Sequence, residues 1–245
     1  MSRVYSDTVL PEDSGVSQDL TLGTTGDTVQ VTSGATLKVN TLKDAGGNTI
    51  WTSNGSGVLS SINSAFSGAP TLLTTNTVSD GASSAFTSLI DSTYKVYIFK
   101  FYDVSPATDS VYFQFNVSAD GGNNYNIDKT TTYFLARHQE NDSQASLAYQ
   151  SAEDLDRSVA AQRLAFSLAN YADGGLAGEL YIFNPSNTVF VKHFHSTFNY
   201  MFSNASPHTM NVFIGGYFDT TSAINTVSFA MSSGAFDGVI KMYGL

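Results

Sequence analysis

The feature that most restricts this chain is the alternation of apolar and polar side chains in short runs closed by turn residues. In VYFQFNV, Val111, Phe113, Phe115 and Val117 fall on every second position, and Asp120–Gly121–Gly122–Asn123–Asn124 ends the run. Only an extended strand places alternate residues on one face, so one face of this segment is expected to be buried. Similar runs start at Tyr94 (YKVYIFKFYDV), Thr131 (TTYFLARH), Glu179 (ELYIF), Thr188 (TVFVKHFHSTFNY), Met210 (MNVFIGGYF), Thr226 (TVSFAM) and Gly238 (GVIKMY). Weaker ones cover 71–78 and 84–89. The total is about nine or ten strands, the range of a two-sheet sandwich or jelly roll.

The fold class expected is therefore all-β: a thin N-terminal region of short strands, residues 1–70, followed by an antiparallel, jelly-roll-like β-sandwich over residues 71–245. Inward rows are expected at Val111, Phe113, Phe115, Val117, Val212 and Ile214, with Phe229 and Ile240 beside them. One helix is expected between strands, over 151–170. There Leu155, Val159, Gln162 and Phe166 fall near helical spacing, and Ser151 with Asp154 suits a capping box.

The N-terminal region is punctuated differently. Val29 and Val31 are followed eight positions later by Leu37 and Val39, with turns at Gly26–Asp27, Ser33–Gly34 and Gly46–Gly47–Asn48. Each short strand offers two apolar side chains, too narrow a row to offset an ordering cost of roughly 1–2 kcal/mol per residue. Val29, Val31, Leu37 and Val39 are accordingly the expected oligomerisation seam, with a homotrimer favoured because three copies cover each row and leave few open edges. GSGVLSSINSAFSGAP, residues 55–70, is a Gly/Ser-rich connector.

Composition narrows the function. Charged residues are 13% of the chain and the net charge is −10. Ser, Thr, Asn and Gln must then supply the polar surface, as in β proteins, and nucleic acid is a poor partner for so acidic a chain. The chain has no cysteine, which removes disulfides, thiolate catalysis and cysteine-bound zinc. No secretion signal and no apolar run long enough to span a membrane is found, so no membrane insertion is expected. The Asn-x-Ser triplets at Asn54, Asn116, Asn141 and Asn204 follow from an Asn- and Ser-rich composition.

Candidate chemistry is sparse. His193 and His195 share a strand face, but no acid follows in 196–203 to complete a metal set. They are expected as half-exposed strand histidines beside Phe194. Glu153, Asp154 and Asp156 lack calcium-loop spacing and suit the acidic first turn of the expected helix. Asp120–Asp128 (DGGNNYNID) is rich in oxygen donors but is better explained as a long hairpin turn. No catalytic, cofactor-binding or metal residue is assigned, and no enzyme activity or cofactor is expected. Tyr94, Tyr97, Tyr102, Tyr112, Tyr125, Tyr133, Tyr149, Tyr171, Tyr200, Tyr217 and Tyr243 are the pool from which a protein or glycan contact surface can be drawn.

TSGATLKVNTLKDAGGNTIWTSNGSGVLSS, IDSTYKVYIFKF and SSGAFDGVIKMYGL resemble segments of tail-fibre-like and other appendage-type structural proteins of marine bacteriophages, including those infecting cyanobacteria. The resemblance spans most of the chain and carries no catalytic motif. It implies a non-enzymatic virion protein, assembled in the host cytoplasm and released by lysis. An N-terminal attachment part would carry an outward β domain for host attachment. The partners implied are further copies, other virion proteins, and a host surface receptor or glycan. Tail fibre, tail-associated appendage and capsid-surface decoration all fit, and a sugar-binding or polysaccharide-degrading β protein is the alternative from a different class.

Overall fold

The computed structural model describes residues 39–56, 59, 60, 62 and 69–245. The chain divides into two units, Met1–Phe66 and Ser67–Leu245.

In the first unit, β1 (Thr41–Lys43), β2 (Thr49–Ser53) and β3 (Leu59–Ser60) form an antiparallel sheet in that order. Asp44 shapes the β1–β2 turn, its Oδ1 accepting from the N–H groups of Gly46 (2.9 Å) and Asn48 (2.8 Å). No residue of β1 or β2 is fully buried: β1 is exposed throughout and Trp51 only half-buried. Of the expected seam, Val39 is half-buried and outside any strand, whereas Val29, Val31 and Leu37 lie outside the described residues.

The second unit holds β4 (Thr71–Gly81), β5 (Ser83–Phe86), β6 (Val96–Pro106), β7 (Val111–Ser118), β8 (Lys129–Gln139) and β9 (Ala145–Tyr149). These are followed by β10 (Gln162–Leu168), β11 (Leu176–Phe183), β12 (Lys192–Phe202), β13 (His208–Phe218), β14 (Thr226–Met231) and β15 (Phe236–Gly244). All pairings are antiparallel. One layer runs β4-β15-β6-β11-β12-β13-β8-β9 and the other β10-β7-β14-β5. The layers meet at Leu168↔Phe202, and opposite that seam the Asn76 side chain donates to Ser84 Oγ at 3.1 Å, so the sheet is nearly closed. The expected all-β class is thus the observed one, and no helix occurs among the described residues.

The expected inward rows fill the space between the layers. Val111, Phe113, Phe115, Val117, Val212, Ile214, Phe229 and Ile240 are all buried. Phe229 is the hub: its ring lies 4.9 Å from Phe101, 5.4 Å from Phe99, 6.1 Å from Phe86, 6.2 Å from Phe113 and 6.3 Å from Phe115. Offset and edge-on ring pairs of this kind add to simple area burial, so the two layers are keyed together at β14. Gly178 sets the spacing of β11 against β12, because a Cβ there would come within 2.4 Å of the Thr197 carbonyl oxygen.

The helix expected over 151–170 is absent. Glu153 N–H donates to the Gln150 carbonyl in a tight turn, and Leu155 to Ser158 then runs beside β8, with Ser158 and Lys129 exchanging backbone bonds of 2.9 and 3.0 Å. Residues 162–168 are strand β10, where Gln162, Leu164 and Leu168 are buried. Gln162, Leu164, Phe166 and Leu168 also alternate with period two, and the vacant edge of β7 decides between the two periodicities by completing a ladder. Two further expectations change. Residues 119–128 are not a hairpin, since β7 and β8 belong to different layers, and the run from Thr188 becomes strand only at Lys192.

Candidate interaction surface

The larger layer turns its outer face to solvent, and the register assembles side chains there in rows. One row runs Tyr243, Ile98, Tyr181, His195, Gly215, Thr132 across β15, β6, β11, β12, β13 and β8. Ile98 faces outward yet is only 2% exposed, because its direct cross-strand neighbours are Tyr243 and Tyr181. His195 packs 4.8 Å from the Tyr181 ring and 5.4 Å from Phe183, whereas His193 faces Tyr217 at 6.1 Å. The two histidines are exposed on one face, as alternation requires, but each belongs to a different aromatic cluster. No group of three or more His, Cys, Asp or Glu suited to a metal ion occurs among the described residues.

At the end of this layer, the β11–β12 connection carries an exposed apolar tip. Val189 and Phe190 are 68% and 70% exposed. Their position is fixed all the same, since Asn187 Oδ1 accepts from both backbone N–H groups at 2.7 Å, and Asn187 N–H donates to the Asn184 carbonyl at 3.0 Å. Ile224 N–H ties Pro185 to the neighbouring β13–β14 loop at 2.9 Å. Asn187 therefore holds two large apolar groups in water on a braced backbone, and ordering them on contact costs less than ordering a free loop. By alternation the TVFV run reads as strand; the preceding Asn184-Pro185-Ser186-Asn187 turn signal is what marks the tip.

Two buried lysines support the same end. Lys129 is 0% exposed and its ammonium donates to Asn116 Oδ1 (2.8 Å) and the Ile127 carbonyl (2.9 Å). Burial pushes its pKa down to about 8, with nearby Asp128 opposing the shift. Lys192 is 1% exposed, and its Nζ donates to the carbonyls of Thr220 (3.0 Å) and Ser222 (2.6 Å). Burial lowers its pKa as well. Both cations clamp loop carbonyls, a role that sequence does not reveal because Lys is ordinarily a surface residue.

The remaining candidates are spent on structure. Asp120 accepts from Ser118 Oγ (2.6 Å), Asn124 N–H (2.9 Å) and Asn124 Nδ2 (2.7 Å), which holds its carboxyl down at about 2. Gly121 and Gly122 take φ of +76° and +90° in the same loop, so 120–124 is a turn closed on its own oxygens. Glu153 pairs with Arg163 at 2.8 Å, Asp154 accepts from the Tyr149 hydroxyl, and the two acids engage different partners rather than one reacting centre. Of the tyrosines, Tyr97, Tyr133 and Tyr200 are core residues, whereas Tyr102 and Tyr149 are exposed.

No family model, curated protein or solved structure matches this chain.

Proposed function

We propose that this chain is a non-enzymatic structural protein of a bacteriophage particle, a tail fibre or tail-associated appendage. Residues up to about 70 attach and oligomerise it, and the β domain is displayed outward for host or partner contact. The observation that carries this reading is the braced tip: Val189 and Phe190 are both more than two-thirds exposed on a backbone fastened by Asn187. Exposed apolar groups on a fixed frame suit a contact made with another surface. The resemblance of its sequence segments to phage appendage proteins supports the same reading.

Gold-labelled antibody against the β domain should decorate tails in micrographs of the particles. Label spread over the head lattice would make it a capsid decoration protein, and unlabelled particles would overturn the reading. Purified protein should also slow particle adsorption to host cells, and the double variant Val189→Ser/Phe190→Ser should not.

A second reading, glycan binding without hydrolysis, is favoured by one cavity of about 180 Å³ between β8, β10 and β12. Phe166 and Phe202 meet edge-on at 5.6 Å there, with Arg137, Gln144, Gln150 and His208 also lining it. His208 is 4% exposed and its buried Nδ1 has no hydrogen-bond partner. An aromatic wall, neutral amides and a guanidinium suit a single acidic sugar unit. Glucuronate should shift the His208 and Phe202 resonances where glucose does not, and Arg137→Gln should abolish the shift. Equal response to both sugars, or none, would exclude this reading.

A further inference from the structure

We propose that β9 docks a second copy of this chain, which adds its own β9 antiparallel across a two-fold axis beside Leu147. The inference is independent of the role proposed above.

The argument begins with edges. In the nearly closed sheet, β4 pairs only with β15 and β5 only with β14 among the described residues, the Asn76–Ser84 hydrogen bond linking their facing edges at one point, and β10 meets β12 at the single pair Leu168↔Phe202. The outer side of β8 is covered at residues 129–131 by the 155–158 segment and at 134–138 by β9. β9 itself pairs with β8 and with no other strand among the described residues. Among the described residues, its far side is an open row of backbone groups.

Which residues own that row follows from parity. Gln150 N–H donates to the Tyr133 carbonyl at 2.9 Å, and Gln139 N–H to the Gln144 carbonyl at 2.8 Å. Hydrogen-bonded pairs recur at every second position of an antiparallel ladder, which assigns Ser146 and Ala148 to the β8 side. Ala145, Leu147 and Tyr149 then aim their N–H and C=O groups away from β8.

The side chains of Leu147 and Tyr149 also stand largely in solvent, with the Tyr149 hydroxyl donating to Asp154 at its tip. Leu147 is 74% and Tyr149 55% exposed, beside Phe134, which is 42% exposed and stacked on Phe213 at 5.0 Å. Natural sheets protect such edges with charges, proline or bulges. The β9 sequence, ASLAY, has no charged residue and no proline, and its ladder with β8 is regular.

The strand is its own complement, which identifies the occupant. With Leu147 opposite its copy, small Ala145 faces large Tyr149 on both sides, and about six backbone hydrogen bonds form in the hydrogen-bonded register. Pairing closes both edges at once, so the contact stops at two copies. A net charge of −10 on each copy opposes the approach, so the association should strengthen with salt.

The test is sedimentation of the full chain from about 1 µM to about 1 mM, the affinity range of a small interface, with amide exchange followed in parallel. The mass should rise with concentration above that of any oligomer formed through residues 1–70, more readily at high salt, as the amides of Leu147 and Tyr149 become protected. Leu147→Lys, at a position exposed in the single copy, should keep the fold's circular dichroism, its melting temperature and the parent's mass at the lowest concentration, but show no rise. A mass constant across the range, freely exchanging Leu147 and Tyr149 amides at the highest concentration, or a rise in Leu147→Lys equal to the parent's would each overturn the proposal.

Discussion

Replacing Phe229 by Ala tests whether the two layers are keyed together at β14. The side chain is 0% exposed, so its removal forfeits the whole of its burial and leaves a cavity. Phe→Ala changes in cores cost about 3–5 kcal/mol. Phe229 belongs at the upper end, because its ring meets Phe86, Phe99, Phe101, Phe113 and Phe115 and such pairs contribute about 0.5–1.5 kcal/mol beyond area. These ring terms share one cavity and do not simply add. A loss of about 5 kcal/mol corresponds to a fall in Tm of roughly 10–20 °C for a domain of this size. Urea and thermal unfolding followed by circular dichroism, at one fixed protein concentration, measure it. A loss below about 2 kcal/mol would refute the reasoning, since it would mean that no shared aromatic core joins the layers there.

Other outcomes follow from the surface and the buried charges. Val189→Ser/Phe190→Ser should leave stability within about 0.5 kcal/mol of the parent by the same unfolding assay, because both side chains are already in water. Lys129 has a folded pKa of about 8 against an ordinary 10.5, so between these values the unfolded chain binds more protons and stability rises with pH. The rise should reach about 2–3 kcal/mol near pH 10 and be absent in Lys129→Met. Above pH 10 the trend should reverse, since burial holds the Tyr133 and Tyr200 hydroxyls protonated in the fold while unfolded tyrosines ionise. Ser118→Ala should raise the Asp120 pKa from about 2 towards 3.8, read from the side-chain carboxyl resonance, because the Ser118 hydroxyl is the main group holding it down. The ionised Asp120 turn is thus complete above pH 3.8 and is lost as pH falls through 2.

How far the sequence could be read depended on whether a signal was local. Val111, Phe113, Phe115 and Val117 announce a buried face because alternation is a property of one strand, and the core contains all four. Residues 151–170 misled because Leu155, Val159, Gln162 and Phe166 satisfy one period while Gln162, Leu164, Phe166 and Leu168 satisfy another. The edge of β7 chose between them. The tip at Val189 and Phe190 was hidden inside an apolar run that reads as strand. Strand β9 is not legible in the sequence because ASLAY is short and weakly patterned, and β8 is its one ladder partner among the described residues.

From the sequence alone came the all-β class, the inward rows and the acidic, cysteine-free chemistry, since these rest on backbone period and residue type. The tertiary structure alone decided which strands are neighbours, and hence that Ile98 is buried on an outward face, that Lys129 is a buried clamp, and that Leu147 stands on an open edge. The physical reason is that burial and hydrogen-bond satisfaction are relations between segments far apart in the chain. Alternation tells each strand which of its faces is apolar, but only the assembled sheet determines what covers the other face and both edges.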